Sequence, residues 1–325
     1  MEEKMKVAKK IALVLLLALC VIVVSCKKVD TVKNYILATG GTGGTYYPYG
    51  GAIANIWNIN VEKMNVTAQA TGASKENLRL ISSQEAEFGI VQNDVMDYAF
   101  NGTDMFEGQA LGNIAAIGTL YPEVVQIAAS AESAIKSVAD MKGKRVSVGD
   151  AGSGVEFNAK QILEGYGLTF ADIKKANLSF KESSDGIQNG TLDACFITAG
   201  VPNAALQELA VSKGLVLISV DGEEAEKICE KYAFYTKTVI PAGTYKGSDT
   251  DVAALAIKAT LAVSASLDET IVYNLTKALF EHQADLAQAH AKGNDLSVEK
   301  AVTGISIPFH VGAAKYFAEV GYPVN

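Results

Sequence analysis

One local grammar occurs twice in this chain, and it limits what the chain can fold into more than any other feature. Tyr35–Thr39 reads as a strand, Gly40–Thr45 (GGTGGT) as a loop of small residues and Tyr46–Trp57 as a helix; Arg145–Val148, Gly149–Gly154 (GDAGSG) and Val155–Leu163 repeat the order. Each loop would present backbone N–H groups and hydroxyls at a helix N-terminus, where the positive end of the helix dipole favours an anion. Two such cups imply two facing jaws. Strands alternate with helices elsewhere too, which predicts an α/β protein built mainly on parallel sheet.

Between and after the cups the pattern continues. Val66–Ala70 reads as a strand running into Thr71–Ser74, with Ser74 as N-cap of a helix over Lys75–Ser82. Phe88–Val91 leads through Gln92, Asn93 and Asp94 into a helix over Val95–Phe100. Ile114–Leu120 and Val124–Ala129 flank Tyr121-Pro122-Glu123, read as a crossing into a second lobe. There Ser153 and Glu156 have the spacing of a capping box. Ala194–Thr198 runs into Ala199–Asn203 and a helix over Ala204–Lys213, and Leu215–Val220 closes the lobe. The chain then returns through Phe234–Ile240 into three expected helical stretches, within Asp251–Ser264, Glu269–His290 and Ser297–Val302. Ligands in open parallel sheets sit where strand-to-helix loops gather. Five such loops would therefore meet between the lobes, and closure would be a hinge motion about the crossing segments.

The N-terminus reads as an export signal: Lys4, Lys6, Lys9 and Lys10, an apolar run from Ile11 to Val24, then Ser25-Cys26. That run is shorter than the roughly 20 residues a membrane-spanning helix needs. Val23-Val24-Ser25-Cys26 has the form of a bacterial lipobox, with Cys26 as the lipidation site holding the protein on the membrane through residues 26–33. The protein is thus expected to be extracytoplasmic, in the periplasm or at the cell surface. The formal charge of -8 gives no support to nucleic-acid binding. Cys195 and Cys229 lie in unrelated segments, and their spacing does not require pairing. The three His residues, at 282, 290 and 310, are not at metal-ligand spacing, and no metal or cofactor is expected.

The glycine loops do not match nucleotide motifs: Tyr46 stands where the third glycine of a dinucleotide fingerprint belongs, and no Walker sequence is present. The candidate ligand-binding residues are Thr42, Gly43, Gly44, Thr45 and Tyr46 in the first cup and Ser153, Gly154 and Val155 in the second. Ser74, Gln92, Asn93 and Asn203 would add side-chain hydrogen bonds, and Glu123 would accept from an ammonium group. Arg occurs only at 79 and 145, away from both cups, so an acid would be held by backbone donors. No catalytic residue is assigned. The competing readings are an exported α/β hydrolase with Ser153 as nucleophile and a lipoprotein that senses solute without transporting it.

Several stretches resemble the TAXI family, the solute receptors of tripartite ATP-independent periplasmic (TRAP) transporters. They include ATGGTGGTYYPYGGAIANIW (38–57), TGASKENLRLI (71–81), FGIVQNDVMDYA (88–99), GKRVSVGDAGSGVEFNAKQIL (143–163), GTLDACFITAGVPNAALQELA (190–210) and IPFHVGAAKYF (307–317). The resemblance implies a two-lobed type II periplasmic binding-protein fold with a ligand cleft between lobes. It also implies capture of a small anionic solute such as glutamate or 2-oxoglutarate, and delivery to TRAP membrane permease subunits. The expected division is a signal peptide over 1–25, a tether over 26–33, lobe I over 34–125 plus 235–325 and lobe II over 126–234.

Overall fold

A 16-residue strand, Ile114–Ala129, and a 13-residue strand, Val252–Ser264, pair antiparallel and run through both halves of one sheet. The computed structural model describes residues 1–3, 5, 7 and 32–325. Most of the expected signal peptide and Cys26 lie outside the described residues. Two compact units are defined, Met1–Lys33 and Asn34–Asn325, the second carrying the fold.

In chain order the elements are β1 (Lys33–Ala38), α1 (Tyr46–Asn60), β2 (Met64–Gln69), α2 (Ser74–Ser82), β3 (Phe88–Gln92), α3 (Asn93–Asn101) and β4 (Ile114–Ala129). Then follow β5 (Arg145–Ser147), α4 (Gly154–Gly165), β6 (Lys174–Ala176), α5 (Phe180–Gln188), β7 (Ala194–Ala199), α6 (Ala204–Ser212), β8 (Val216–Ile218) and α7 (Gly222–Lys231). The chain ends with β9 (Thr236–Ile240), β10 (Val252–Ser264), α8 (Glu269–Glu281), α9 (Gln283–Ala289), α10 (Val298–Ala301) and α11 (Val311–Glu319).

The sheet order is β2-β1-β3-β10-β4-β7-β5-β6, with β8 on β4 and β9 on β10. It is mixed rather than mainly parallel. The pairs β1–β3, β5–β6 and β5–β7 are parallel, but β10 is antiparallel to β3, β4 and β9, and β4 to β7 and β8. The two long strands change partners at one point: Val124 pairs with Ala256 and with Ala199 of β7, while Ala256 also pairs with Thr236 of β9. On one side of that point lies lobe I, on the other lobe II.

Further expectations are corrected here. The stretch 251–264 is a strand, not a helix. Its alanine-rich run is covered on both faces and flanked by strands, so it lacks the alternation that marks a half-exposed strand. Tyr121-Pro122-Glu123 does not interrupt the chain, because β4 passes straight through it. The proline falls beside a register shift, opposite Lys258, whose N–H goes to Asn93 Oδ1 instead, so the ladder is already interrupted there. Finally, Ser74 is the first residue of α2 rather than its cap, which is Ala73 at φ 68°. The stretch 269–290 divides at His282 into α8 and α9, and α11, which the sequence did not announce, is capped by His310 Nδ1 accepting from Gly312 N–H at 3.1 Å.

Each lobe has apolar clusters of its own. In lobe I, α1 buries Tyr49, Ile53 and Trp57 against Phe88, Leu261 and Leu275, and Trp57 Nε1–H donates to Leu275 O at 3.0 Å. In lobe II, α4 buries Ala159, Ile162 and Leu163 against Val146, Phe196 and Ile228. Cys195 is buried and Cys229 half-buried, and both are free thiols. Leu261 sits in β10 between β3 and β4. Leu261→Ala is expected to lower the unfolding free energy by about 2–5 kcal/mol through lost transfer energy and the cavity left behind, read from urea unfolding; a change within error would show that this part of β10 is not core.

Candidate functional site

Five strand-to-helix loops converge on one cavity between the lobes. It is lined by Gly40, Gly41, Gly43, Gly44, Thr45 and Tyr46 of the first loop, Ala73 and Ser74 of the second and Gln92 of the third. From the crossing strand comes Glu123, and lobe II supplies Asp150, Ser153, Gly154, Val155, Phe180, Thr198 and Ala199. The space open to water centres is about 40 Å³, room for a few waters or a compact solute, since one water needs roughly 10–15 Å³ on that measure.

Ten of the thirteen candidate residues line the cavity: Gly43, Gly44, Thr45, Tyr46, Ser74, Gln92, Glu123, Ser153, Gly154 and Val155. Thr42, Asn93 and Asn203 do not. Asn93 is committed to structure, accepting from Lys258 N–H at 3.1 Å and donating to Gly304 O at 3.2 Å. Asn203 caps α6 by accepting from Ala205 and Leu206 N–H, and its Nδ2 donates to Gly43 O at 3.2 Å. It thereby ties lobe II to the first loop, as does Gly200 N–H donating to Thr45 Oγ1 at 3.2 Å. Asp150, Phe180 and Thr198 also line the cavity without having been singled out. Phe180 and Lys181 begin α5 and press on the first loop: a Cβ on Gly43 would meet Lys181 N at 3.4 Å, and one on Gly44 would meet Phe180 at 3.5 Å. The first loop and the start of α5 are thus in van der Waals range of each other across the lobes. The aromatic at position 180 gave no sequence signal, because only the fold brings it opposite GGTGGT.

Polar groups in the cavity fall into two sets. Donors come from helix starts: the N–H groups of Gly154 and Val155 open α4 and have no partner among the described residues, and α1 and α2 start at the same wall. The Ser153–Glu156 capping box is half-formed. Ser153 Oγ accepts from Glu156 N–H at 3.2 Å, but the Glu156 carboxylate takes Gly152 N–H and the Lys175 ammonium instead. Acceptors come from carboxyls and an amide. Glu123 is 1% exposed, and Tyr46 Oη–H donates to its Oε2 at 2.7 Å. Gln92 is 2% exposed, its N–H is held by Ser74 Oγ at 3.1 Å, and its Oε1 has no hydrogen-bond partner. Among the described residues no Lys or Arg lines the cavity, and Arg145 pairs with Asp193.

Burial pushes the Glu123 carboxyl up to about 8, the Tyr46 hydrogen bond opposing. Asp150 is raised by burial and by Glu182 and Glu76. Behind the cavity Asp94, raised to about 7 by burial, closes a second set of contacts between lobes. Asn158 Nδ2 donates to Asp94 Oδ2 at 3.2 Å and to Tyr235 Oη at 2.9 Å, Tyr235 Oη–H donates to Gln161 Oε1 at 2.7 Å, and Gln161 Nε2 donates to Tyr98 Oη at 3.3 Å. Thr198, which lines the cavity, donates to Asn158 Oδ1 at 3.0 Å. The histidines serve elsewhere: His290 packs on the Tyr49 ring, and His310 is a helix cap. Ser153 thus has no imidazole beside it in the cavity lining.

Set against known proteins, residues 37–321 match the NMT1-like family, and the chain belongs to that family. Among solved structures it is similar to the alkanesulfonate-binding protein SsuA from Xanthomonas axonopodis pv. citri bound to MOPS, with 16% identity, 88% of this chain and 83% of that chain covered, and a TM-score of 0.51. It is similar also to the binding protein component of an ABC phosphonate transporter from Pseudomonas aeruginosa, with 11% identity, coverage of 80% and 78%, and a TM-score of 0.54. The periplasmic aliphatic sulphonate binding protein SsuA from Escherichia coli matches at 14% identity over 88% and 83% of the chains, with a TM-score of 0.50. At these identities the likeness defines the fold: α/β, two-lobed, of the type II periplasmic binding-protein kind.

Raised carboxyls give stability a pH dependence. Folded Glu123 holds its proton to about pH 8, whereas its ordinary value is 4.5, so between those values the folded state binds more protons than the unfolded one. The stabilisation is complete below about pH 4.5 and lost as pH rises through 8. The melting temperature is expected to fall from pH 5 to 8, and Glu123→Gln should remove a clear part of that slope, with Asp94 and Asp150 adding to the remainder. Equal slopes in the variant and wild type would show that Glu123 is ionised in the folded protein.

Proposed function

We propose that the protein is an extracytoplasmic receptor that captures a small amino acid, with glutamate as the reference solute, and delivers it to a TRAP permease. The observation that carries this reading is the pairing, in one inter-lobe cavity, of unpartnered helix-start amides with buried acceptors and no cationic side chain. The Gly154 and Val155 amides suit a carboxylate, while Glu123 and Gln92 Oε1 suit an ammonium group. A ligand carrying both ends engages both lobes and so favours the closed state. Micromolar affinity needs about -8 kcal/mol, and a hydrogen bond to a charged group contributes roughly 1.5–3, so one end alone falls short after association entropy.

The finer parts of this reading rest on the TAXI resemblance and on the N-terminal sequence. Cys26 carries the lipid that holds the protein to a bacterial membrane, residues 26–33 form the tether, and residues 34–125 with 235–325 and 126–234 act as the two jaws. The sulfonate and phosphonate binders of similar fold bind anions according to their names, in line with a site of backbone donors. They offer no support for a catalytic Ser153, whose hydroxyl is engaged as a helix cap.

Calorimetry with L-glutamate and with 2-oxoglutarate, which lacks the ammonium group, tests the proposal. An ammonium entering beside Glu123 stabilises its carboxylate, so glutamate binding at pH 7 should release close to one proton and tighten as pH rises from 6 to 8. 2-Oxoglutarate should bind at least about tenfold more weakly. Equal affinity for the two, with no proton released, would remove Glu123 from the role given to it.

A further inference from the structure

Gly154 opens α4 without a positive φ, so its backbone would accept any L residue. A Cβ at this position would overlap Oε1 and Cδ of Gln92 from the opposite lobe, so that buried carboxamide would have to leave its place. Gln92 ends β3 in lobe I, and α4 belongs to lobe II. Its carboxamide therefore spans the seam between lobes and lies on the first turn of a helix in the other jaw, beside amides that have no partner. The Oε1 atom in that contact is buried and unpaired, an unfavourable condition until a donor reaches it.

We propose that Gly154 and Gln92 form the closure contact of this receptor. The glycine is the socket in which the Gln92 carboxamide seats when the lobes meet. An N–H donor on the solute completes the contact by pairing with Oε1, so closure discriminates against solutes that carry only acceptors. This deepens the amino-acid reading and rests on the inter-lobe cavity being the solute site. Gly154 acts as a positioning residue through Gln92, and its substitution perturbs closure rather than the helix, whose first turn tolerates alanine.

Four versions of the full chain test this: wild type, Gly154→Ala, Gln92→Ala and the double variant, each titrated with L-glutamate. Gly154→Ala is expected to weaken binding at least about tenfold, and the double variant to recover about threefold or more of that loss, because removing the carboxamide relieves the overlap. A defect confined to α4 would instead give losses that multiply, with no recovery, and would overturn the contact. Hydrogen exchange of the amides in 88–96 and 149–158, measured without solute, supplies a second readout: Gly154→Ala should speed exchange in both segments and the second substitution should slow it again. Wild type that ignores glutamate while the variants keep this exchange pattern would remove the amino-acid reading and leave the contact standing. Gly154→Ala with wild-type exchange would sink the contact itself.

Discussion

The antiparallel pairing of β4 with β10 is the constraint on which the rest of the structure depends. Both strands traverse the two lobes, and both change partners at the Val124–Ala256 pair. Strand pairing therefore continues on both sides of the junction, interrupted beside it only at Pro122 and Lys258, and each lobe grows outward from a shared pair of strands. Glu123 stands one residue from the exchange point, which is why a carboxyl from the middle of a strand lines a cavity otherwise made of loops. Register shifts in β10 at Ala259/Thr260 and Leu261/Ala262 lie on the lobe I side of this junction, where added twist lets a flat ladder bend.

Two groups of polar contacts flank the cavity and hold the lobes together. On one side Asn203 reaches Gly43 and Gly200 reaches Thr45; on the other, Asp94 and Tyr98 meet Asn158 and Gln161. Neither group contains an ion pair with a basic partner. A buried acid without a base is stable mainly in its protonated form, so the seam between the lobes is neutral and polar rather than salt-bridged. Hydrogen bonds of this kind separate at modest cost, because water replaces each one as the lobes part.

The twin cups, the order of the early strands and helices and most of the cavity lining were legible in the sequence because each is local. Glycine and hydroxyl loops between a strand and a helix declare their own geometry, and Gly43, Gly44, Ser153 and Gly154 lie where that geometry places them. What failed was nonlocal. The run from Val252 to Ser264 has small apolar residues at every spacing, and only its neighbours on both sides make it a strand. Asn93 and Asn203 have the chemistry of ligand contacts, yet their hydrogen-bonding capacity goes to Lys258, Gly304, Gly43 and the start of α6. Phe180 enters the cavity through the meeting of two lobes, which no spacing records. The Asp94–Asn158–Tyr235–Gln161–Tyr98 chain joins residues up to 141 positions apart and carries no sequence mark.

Trp57 is the one tryptophan of the chain, fully buried within lobe I, its ring tilted against Phe88 with centroids 5.0 Å apart, and hydrogen-bonded to a carbonyl of α8. Its indole faces neither the cavity nor the seam. Tryptophan emission is thus a reporter of one jaw's integrity, and a titration silent in that emission alone says nothing against solute capture by this molecule.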